Sequence, residues 1–106
     1  MTGVPFDVLA PFDHEHFDAV NGTDEIYTFV TVTAKSGFHV SKVTHGVHVL
    51  WEEGGEPLKS LTLHKLGDLP VALLLDLSGI VLYFLFVDLA WKKVSREEYE
   101  NKIHIH

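Results

Sequence analysis

The alternation of apolar and polar positions predicts β-strands for much of this chain. The densest apolar segment, Ile80 to Val87, has β-branched and aromatic residues at both odd and even positions. A strand with this pattern is buried on both faces, so we expect it in the interior of a sheet. Leu58 to Leu66 alternates leucine with serine, threonine and histidine. That alternation predicts a half-exposed strand.

Two structures are compatible with residues 68–79, which precede the apolar strand. A cap at Asp68, a proline in the first turn and Gly79 as the stop favour a short helix. Alternatively, the Ser-Gly pair at 78–79 is a two-residue hairpin turn that pairs Leu77 with Ile80. The apolar stretch from Pro70 to Val87 is long enough to be weighed as a membrane span. Asp76 near its centre opposes insertion, so we expect a core segment and no membrane.

Cap signals predict a helix near each end of the chain. Asp13 is the predicted N-cap of the first, which Asn21-Gly22 ends. The capping box Ser95-Arg96-Glu97-Glu98 predicts the second, from Arg96 to about Ile103.

Two further strands are predicted between these helices. Glu25 to Ala34 is rich in threonine, valine and aromatic residues, and Phe38 to about Trp51 follows a Ser-Gly turn. In the second, the apolar positions change from even to odd. That change indicates a β-bulge near Ser41-Lys42 or a bend at Gly46. The pattern as a whole predicts one α+β domain over residues 1–106: about four antiparallel strands, with short N-terminal and C-terminal helices packed on the sheet.

Charge is distributed unevenly along the 106 residues, whose formal net charge is −7. The N-terminal third contains no Lys or Arg before Lys35 and six acidic residues, namely Asp7, Asp13, Glu15, Asp18, Asp24 and Glu25. Such a surface repels nucleic acid and attracts basic proteins. The chain has one basic cluster, formed by Lys92, Lys93 and Arg96. We interpret it as a solvent-exposed group at the start of the predicted C-terminal helix.

Candidate chemistry is limited to histidines and carboxylates, because the chain has no cysteine. Among eight histidines, His104 and His106 have the spacing that points both side chains to one side of an extended segment, as a zinc site requires. A third ligand is not evident, so we expect no cofactor, with zinc or another divalent metal as the alternative. No nucleophile elbow, phosphate loop or metalloprotease motif is present.

Three functions remain. The favoured hypothesis is a non-catalytic inhibitor or immunity-type protein that docks on a basic partner protein through Asp13, Glu15, Asp18, Asp24 and Glu25. The alternatives are a His/Asp metal-binding protein or small enzyme, and an assembly subunit that forms a homodimer or larger homo-oligomer. The N-terminus lacks a signal-peptide pattern, so the expected location is the cytoplasm.

Overall fold

The computed structural model describes residues 2–24 and 26–104. Within them lie nine strands and one helix. In chain order these are β1 (Thr2–Asp7), β2 (Phe17–Asp24), β3 (Tyr27–Ala34), β4 (Phe38–His45), β5 (His48–Glu52), β6 (Leu58–Leu66), β7 (Leu69–Leu77), β8 (Ile80–Val87), β9 (Ala90–Val94) and α1 (Arg96–Ile103).

The strands form two sheets. A six-stranded antiparallel sheet has the order β2-β3-β6-β7-β8-β9, and a three-stranded sheet has the order β1-β4-β5, with β1 parallel to β4. The predicted α+β fold with about four strands and a helix at each end is therefore wrong. The protein is mostly β, because segments predicted as helical pair instead as strands and extend the larger sheet.

The main core lies between the two sheets. Phe6 and Val43 of the smaller sheet pack in one buried cluster with Val32, Leu61 and Leu73 of the larger. We call the face of the larger sheet that packs on the smaller sheet its inner face, and the opposite face its outer face. In the middle of the sheet, alternate residues of β3, β6 and β7 point into this cluster, which makes the inner face apolar there.

The predicted N-terminal helix is absent. The Oδ1 atom of Asp13 does accept hydrogen bonds from the backbone N–H groups of Glu15 (3.0 Å) and His16 (3.2 Å), as a cap would. They stabilise a single turn, because the chain becomes extended at Phe17 and buries that side chain to 1% exposure in the core. Asp13 therefore makes the hydrogen bonds of a helix cap, but no helix follows it.

Gly22, the predicted end of that helix, lies within β2 opposite Phe29. A Cβ atom at Gly22 would stand 2.5 Å from Cζ of the Phe29 ring. A glycine is thus required here because the Phe29 ring of the neighbouring strand occupies the space that a side chain would fill. It does not serve a turn.

Residues 69–87 form a hairpin, so the favoured helix over this segment is wrong and the alternative is confirmed. Leu77 pairs with Ile80 across the Ser-Gly turn. The alternating leucines Leu73, Leu75 and Leu77 all enter the core, which a helical period would have prevented. β8 lies between β7 and β9, which confirms its predicted position inside a sheet. It is not buried on both faces along its whole length, because Ile80, Val81 and Val87 near its ends are exposed.

The remaining local predictions are largely confirmed. The strand predicted over Leu58 to Leu66 is β6. In β4, Val40 and Lys42 pair with successive residues of β1, which leaves Ser41 as the bulge. Gly46, with a φ of +63°, turns the chain, so the predicted long strand is the hairpin β4–β5. In the described residues the third strand begins at Tyr27.

The C-terminal helix α1 is confirmed with its capping box. Ser95 Oγ accepts from the Glu98 N–H (3.2 Å), and Glu98 Oε1 accepts from the Ser95 N–H (3.4 Å). The helix packs Tyr99 and Ile103 on the outer face of the larger sheet, in a second small core. No helix within residues 2–24 and 26–104 is long and apolar enough to cross a membrane.

Candidate docking surface

The structure spreads the predicted partner-binding carboxylates along one edge of the larger sheet. Asp13 and Glu15 lie in the turn before β2, and Asp18 and Asp24 lie on β2 itself. Glu25 is outside the described residues. Asp18 and Asp24 share the outer face because their positions differ by an even number, and they are about 20 Å apart. The sequence grouping therefore becomes a line of charge, not a compact patch.

The carboxylate of Asp13 is occupied by hydrogen bonds within its own turn. Besides its two backbone hydrogen bonds, its Oδ2 lies 2.6 Å from Nδ1 of His16. The hydrogen bond from His16 lowers the pKa of Asp13 below its usual value. Substituting Asp13 would disturb the turn into β2, so this residue is a poor probe of partner binding.

Asp18 has a more exposed side chain than Asp13 or Asp24. Its side chain is 66% exposed, and Oδ1 lies 3.5 Å from Nζ of Lys35, which is 41% exposed. Ion pairs this exposed contribute little to stability and exchange readily for other partners. Asp18 is therefore free to contact a docked cation.

Asp24 belongs to a cluster where β2, β6 and α1 meet. Its Oδ2 is 3.6 Å from Nε2 of His64, and its Oδ1 is 3.7 Å from Nδ1 of His104. Glu100 Oε2 lies 3.0 Å from the other nitrogen of His104. His64 Nδ1 is 3.1 Å from the hydroxyl of Tyr99. These contacts tie the helix to the end of the edge strand.

This cluster is suited to holding the helix rather than to catalysis. Tyr99 is only 4% exposed, and burial, followed by the charge of Glu100, raises the pKa of its phenol far above the usual value. A phenol that stays protonated and is closed to solvent is a poor nucleophile. Burial also lowers the pKa of His64, against the opposing effect of Asp24.

We expect the protein to lose stability when the pH falls below about 6.5, because of His64. Its folded-state pKa is lowered, so the unfolded chain binds a proton first as the pH decreases. The stabilisation is complete above the unfolded pKa and is lost as the pH falls toward the folded one. Urea denaturation of the wild type and of His64→Gln between pH 8 and pH 5 measures this effect.

The substitution should flatten the pH dependence of the unfolding free energy over that range. His48→Gln is the matched control, because His48 is an exposed residue of β5. An equal slope in the His64→Gln protein and the wild type would contradict the assignment.

Of the two predicted metal ligands, the structure describes only His104. His104 faces Asp24 and Glu100, while His106 lies outside the described residues. His45 Nδ1 accepts a hydrogen bond from the indole N–H of Trp91 (2.7 Å), because that indole can only donate. Among residues 2–24 and 26–104, no three His, Asp or Glu side chains are arranged to hold a metal ion.

The backbone of β2 completes the candidate surface. In the part of the chain that the structure describes, β2 is an edge strand that pairs only with β3. Across the described residues, residues 18–24 make no backbone hydrogen bond outside that ladder. Val20 is 68% exposed between the two aspartates. We call residues 18–24 the acidic β2 edge, and sequence patterns alone could not identify it because edge position depends on topology.

A second exposed feature lies at the tips of two hairpins. Val47 of the β4–β5 turn is 93% exposed, and Leu89 of the β8–β9 turn is 90% exposed with a φ of +64°. Between the tips lies an apolar cleft of about 590 Å³ that His45 and Trp91 help to line. Exposed apolar residues that are grouped around one cleft, as Val47 and Leu89 are, mark interaction surfaces more often than scattered ones do.

No family model, curated protein or solved structure matches this chain.

Proposed function

We propose that this protein is a non-catalytic binding module that docks its acidic β2 edge on a basic segment of a partner protein. The observation that carries this proposal is that an edge strand, paired on one side only, presents exposed Asp18 and Val20 beside the backbone groups of its open side. Each of these features is usable by a partner that is both extended and basic.

The binding mode follows from sheet geometry. An extended segment would add to the edge as one more strand, with backbone hydrogen bonds supplying affinity. Its alternate side chains would face Asp18, Val20 and Gly22 on the outer face. A Lys or Arg opposite Asp18 would gain a cross-strand ion pair, while the net charge of −7 would speed the encounter.

The same charges disfavour pairing between two β2 strands. In an antiparallel self-pair centred on Asn21, Asp18 of one copy would stand opposite Asp24 of the other. Like charges directly opposite each other destabilise a strand pair. The edge is thus selective for a segment of opposite charge.

An inhibitor of the immunity type is the specific form of this function that the sequence predicts. Carboxylates spaced along a strand resemble the phosphates that a cationic cleft binds, so such an edge suits a protein that masks a nucleic-acid site.

The test uses two acetylated octapeptides, one alternating lysine with valine and one alternating glutamate with valine. We expect the lysine peptide to bind the full-length protein, with amide NMR shifts concentrated at residues 18–24. Asp18→Asn should weaken binding by up to about fivefold, the value of one cross-strand charge pair. Asp88→Asn, a matched loss of one exposed carboxylate in the β8–β9 turn, should leave the affinity unchanged.

Failure of the lysine peptide to bind would overturn the proposal. So would amide shifts that are centred on another part of the molecule, or an equal effect of the two Asp→Asn variants. Binding of both peptides with similar affinity would show that the edge pairs without regard to charge.

A further inference from the structure

The opposite edge of the same sheet carries the opposite charge. β9 is the other edge strand, and its residues Lys92 and Lys93 are exposed. No acidic residue lies among residues 90–94, which we call the basic β9 edge. Within the described residues, these five make no backbone hydrogen bond outside their ladder with β8. The six-stranded sheet is thus acidic at one edge and basic at the other.

The two charged edges also share a face. Cross-strand pairing runs over the sheet through Gly22, Phe29, His64, Ala72, Leu85 and Lys92. Residues paired directly across a sheet point to the same side. Because Gly22 and Asp18 also share a side, Asp18 and Lys92 both lie on the outer face.

Strand direction permits the two edges to join. All neighbours in this sheet are antiparallel and the number of strands is even, so β2 and β9 run in opposite directions. A second copy translated along the sheet would therefore meet β9 with its own β2 in antiparallel orientation. Its outer face would remain on the outer side.

We propose that the basic segment recognised by the acidic β2 edge is β9 of a second copy of this chain, so that copies assemble head to tail. This inference rests on the proposed function, because it uses the same docking edge. The register that places Lys92 opposite Asp18 also places Trp91 opposite Ala19 and Ala90 opposite Val20. Each larger side chain then faces a smaller one, and the charges are complementary.

Asp18 is preferred to Asp24 as the anchor for a structural reason. Asp24 is 29% exposed and lies against His64 and His104, whereas the ion pair of Asp18 among the described residues is with the partly exposed Lys35. Head-to-tail contacts use two different surfaces, so an open assembly keeps one free acidic edge and one free basic edge at its ends until it closes into a ring.

Sedimentation velocity over a range of concentrations tests the proposal with charge-reversal variants. We expect the wild type to self-associate, and Asp18→Lys or Lys92→Glu alone to weaken association at least about tenfold by placing like charges opposite each other. An equimolar mixture of the two variants should regain assembly, because each supplies the edge that complements the other. The double variant Asp18→Lys/Lys92→Glu should regain it for the same reason.

Matched controls are Asp68→Lys and Lys59→Glu, which make the same charge changes at exposed positions away from both edges. They should leave self-association unchanged. Circular dichroism of every variant establishes that it is folded before its mass is interpreted.

The outcomes separate this inference from the function on which it rests. A wild type that stays monomeric while the lysine–valine peptide binds residues 18–24 overturns self-assembly and leaves the binding module intact. If neither the peptide nor a second copy binds, both proposals fail. Self-association that neither reversal changes also overturns the inference, and would direct attention to the exposed tips at Val47 and Leu89.

Discussion

Replacing Phe84 with alanine is expected to lower the free energy of unfolding by about 3–5 kcal/mol. Phe84 is 7% exposed and lies on β8, between β7 and β9, with its ring in the main core. A domain of this size typically has a total stability of about 5–15 kcal/mol, so the variant should be close to unfolding at room temperature. Urea denaturation followed by tryptophan fluorescence measures the change.

The matched control for Phe84 is Val81→Ala on the same strand. Val81 is 40% exposed on the outer face, so its truncation should cost less than about 1 kcal/mol. If Phe84→Ala also cost less than that, the Phe84 ring would not be part of the main core that the structure describes.

Replacing Ile103 with alanine is expected to cost about 2–5 kcal/mol, the second-largest effect. Ile103 is 1% exposed in the smaller core, where it packs with Tyr27 and Tyr99. An isolated helix of eight residues is not stable in water, so α1 depends on this packing. Chemical denaturation gives the stability change, and near-ultraviolet circular dichroism reports the loss of fixed tyrosine environments.

Lys102→Ala provides the control for Ile103, because Lys102 is exposed on the same turn of helix. Its near-ultraviolet spectrum should match that of the wild type. An Ile103→Ala protein with unchanged stability and an unchanged tyrosine signal would show that the helix docks without this side chain.

Local signals predicted those parts of the fold whose determinants are close together in the chain. The capping box fixed α1 because Ser95 and Glu98 satisfy each other's backbone groups without help from elsewhere. The change of apolar parity in β4 located the bulge at Ser41 because a pleated strand alternates strictly. Predictions of this kind need no knowledge of the sheet order.

The predictions were wrong where contacts with residues remote in the sequence determine the local structure. Asp13 and Asp68 each begin a segment with helix-cap signals, yet both segments continue as strands. Phe17 pairs with Ala34 and enters the core, and Leu73 is buried between the sheets. The burial of such side chains outweighs a cap, whose contribution is about 1 kcal/mol.

The sequence predicted the charge of the candidate site but not its geometry. The absence of Lys and Arg before Lys35 identified the acidic region from the sequence alone. That Asp18 would stand on a sheet edge, while Asp24 contacts His64 and His104, depends on pairings between remote segments. The sequence pattern assigned the basic residues of β9 to the start of the C-terminal helix, because it did not predict a strand there.

The position of β6 beside β3 has a consequence for how the molecule folds. Strands β6 to β9 follow one another through short turns, so they can pair early at a low entropic cost. β3 joins β6 only after residues 35–57, which contain β4 and β5 of the other sheet, have been looped out. β2 and β3 also follow one another through a short turn, so we expect this hairpin and the C-terminal meander to form separately and to join late. The acidic β2 edge should then become the edge of a six-stranded sheet only after that late step, so that an incompletely folded chain presents it on a two-stranded hairpin alone.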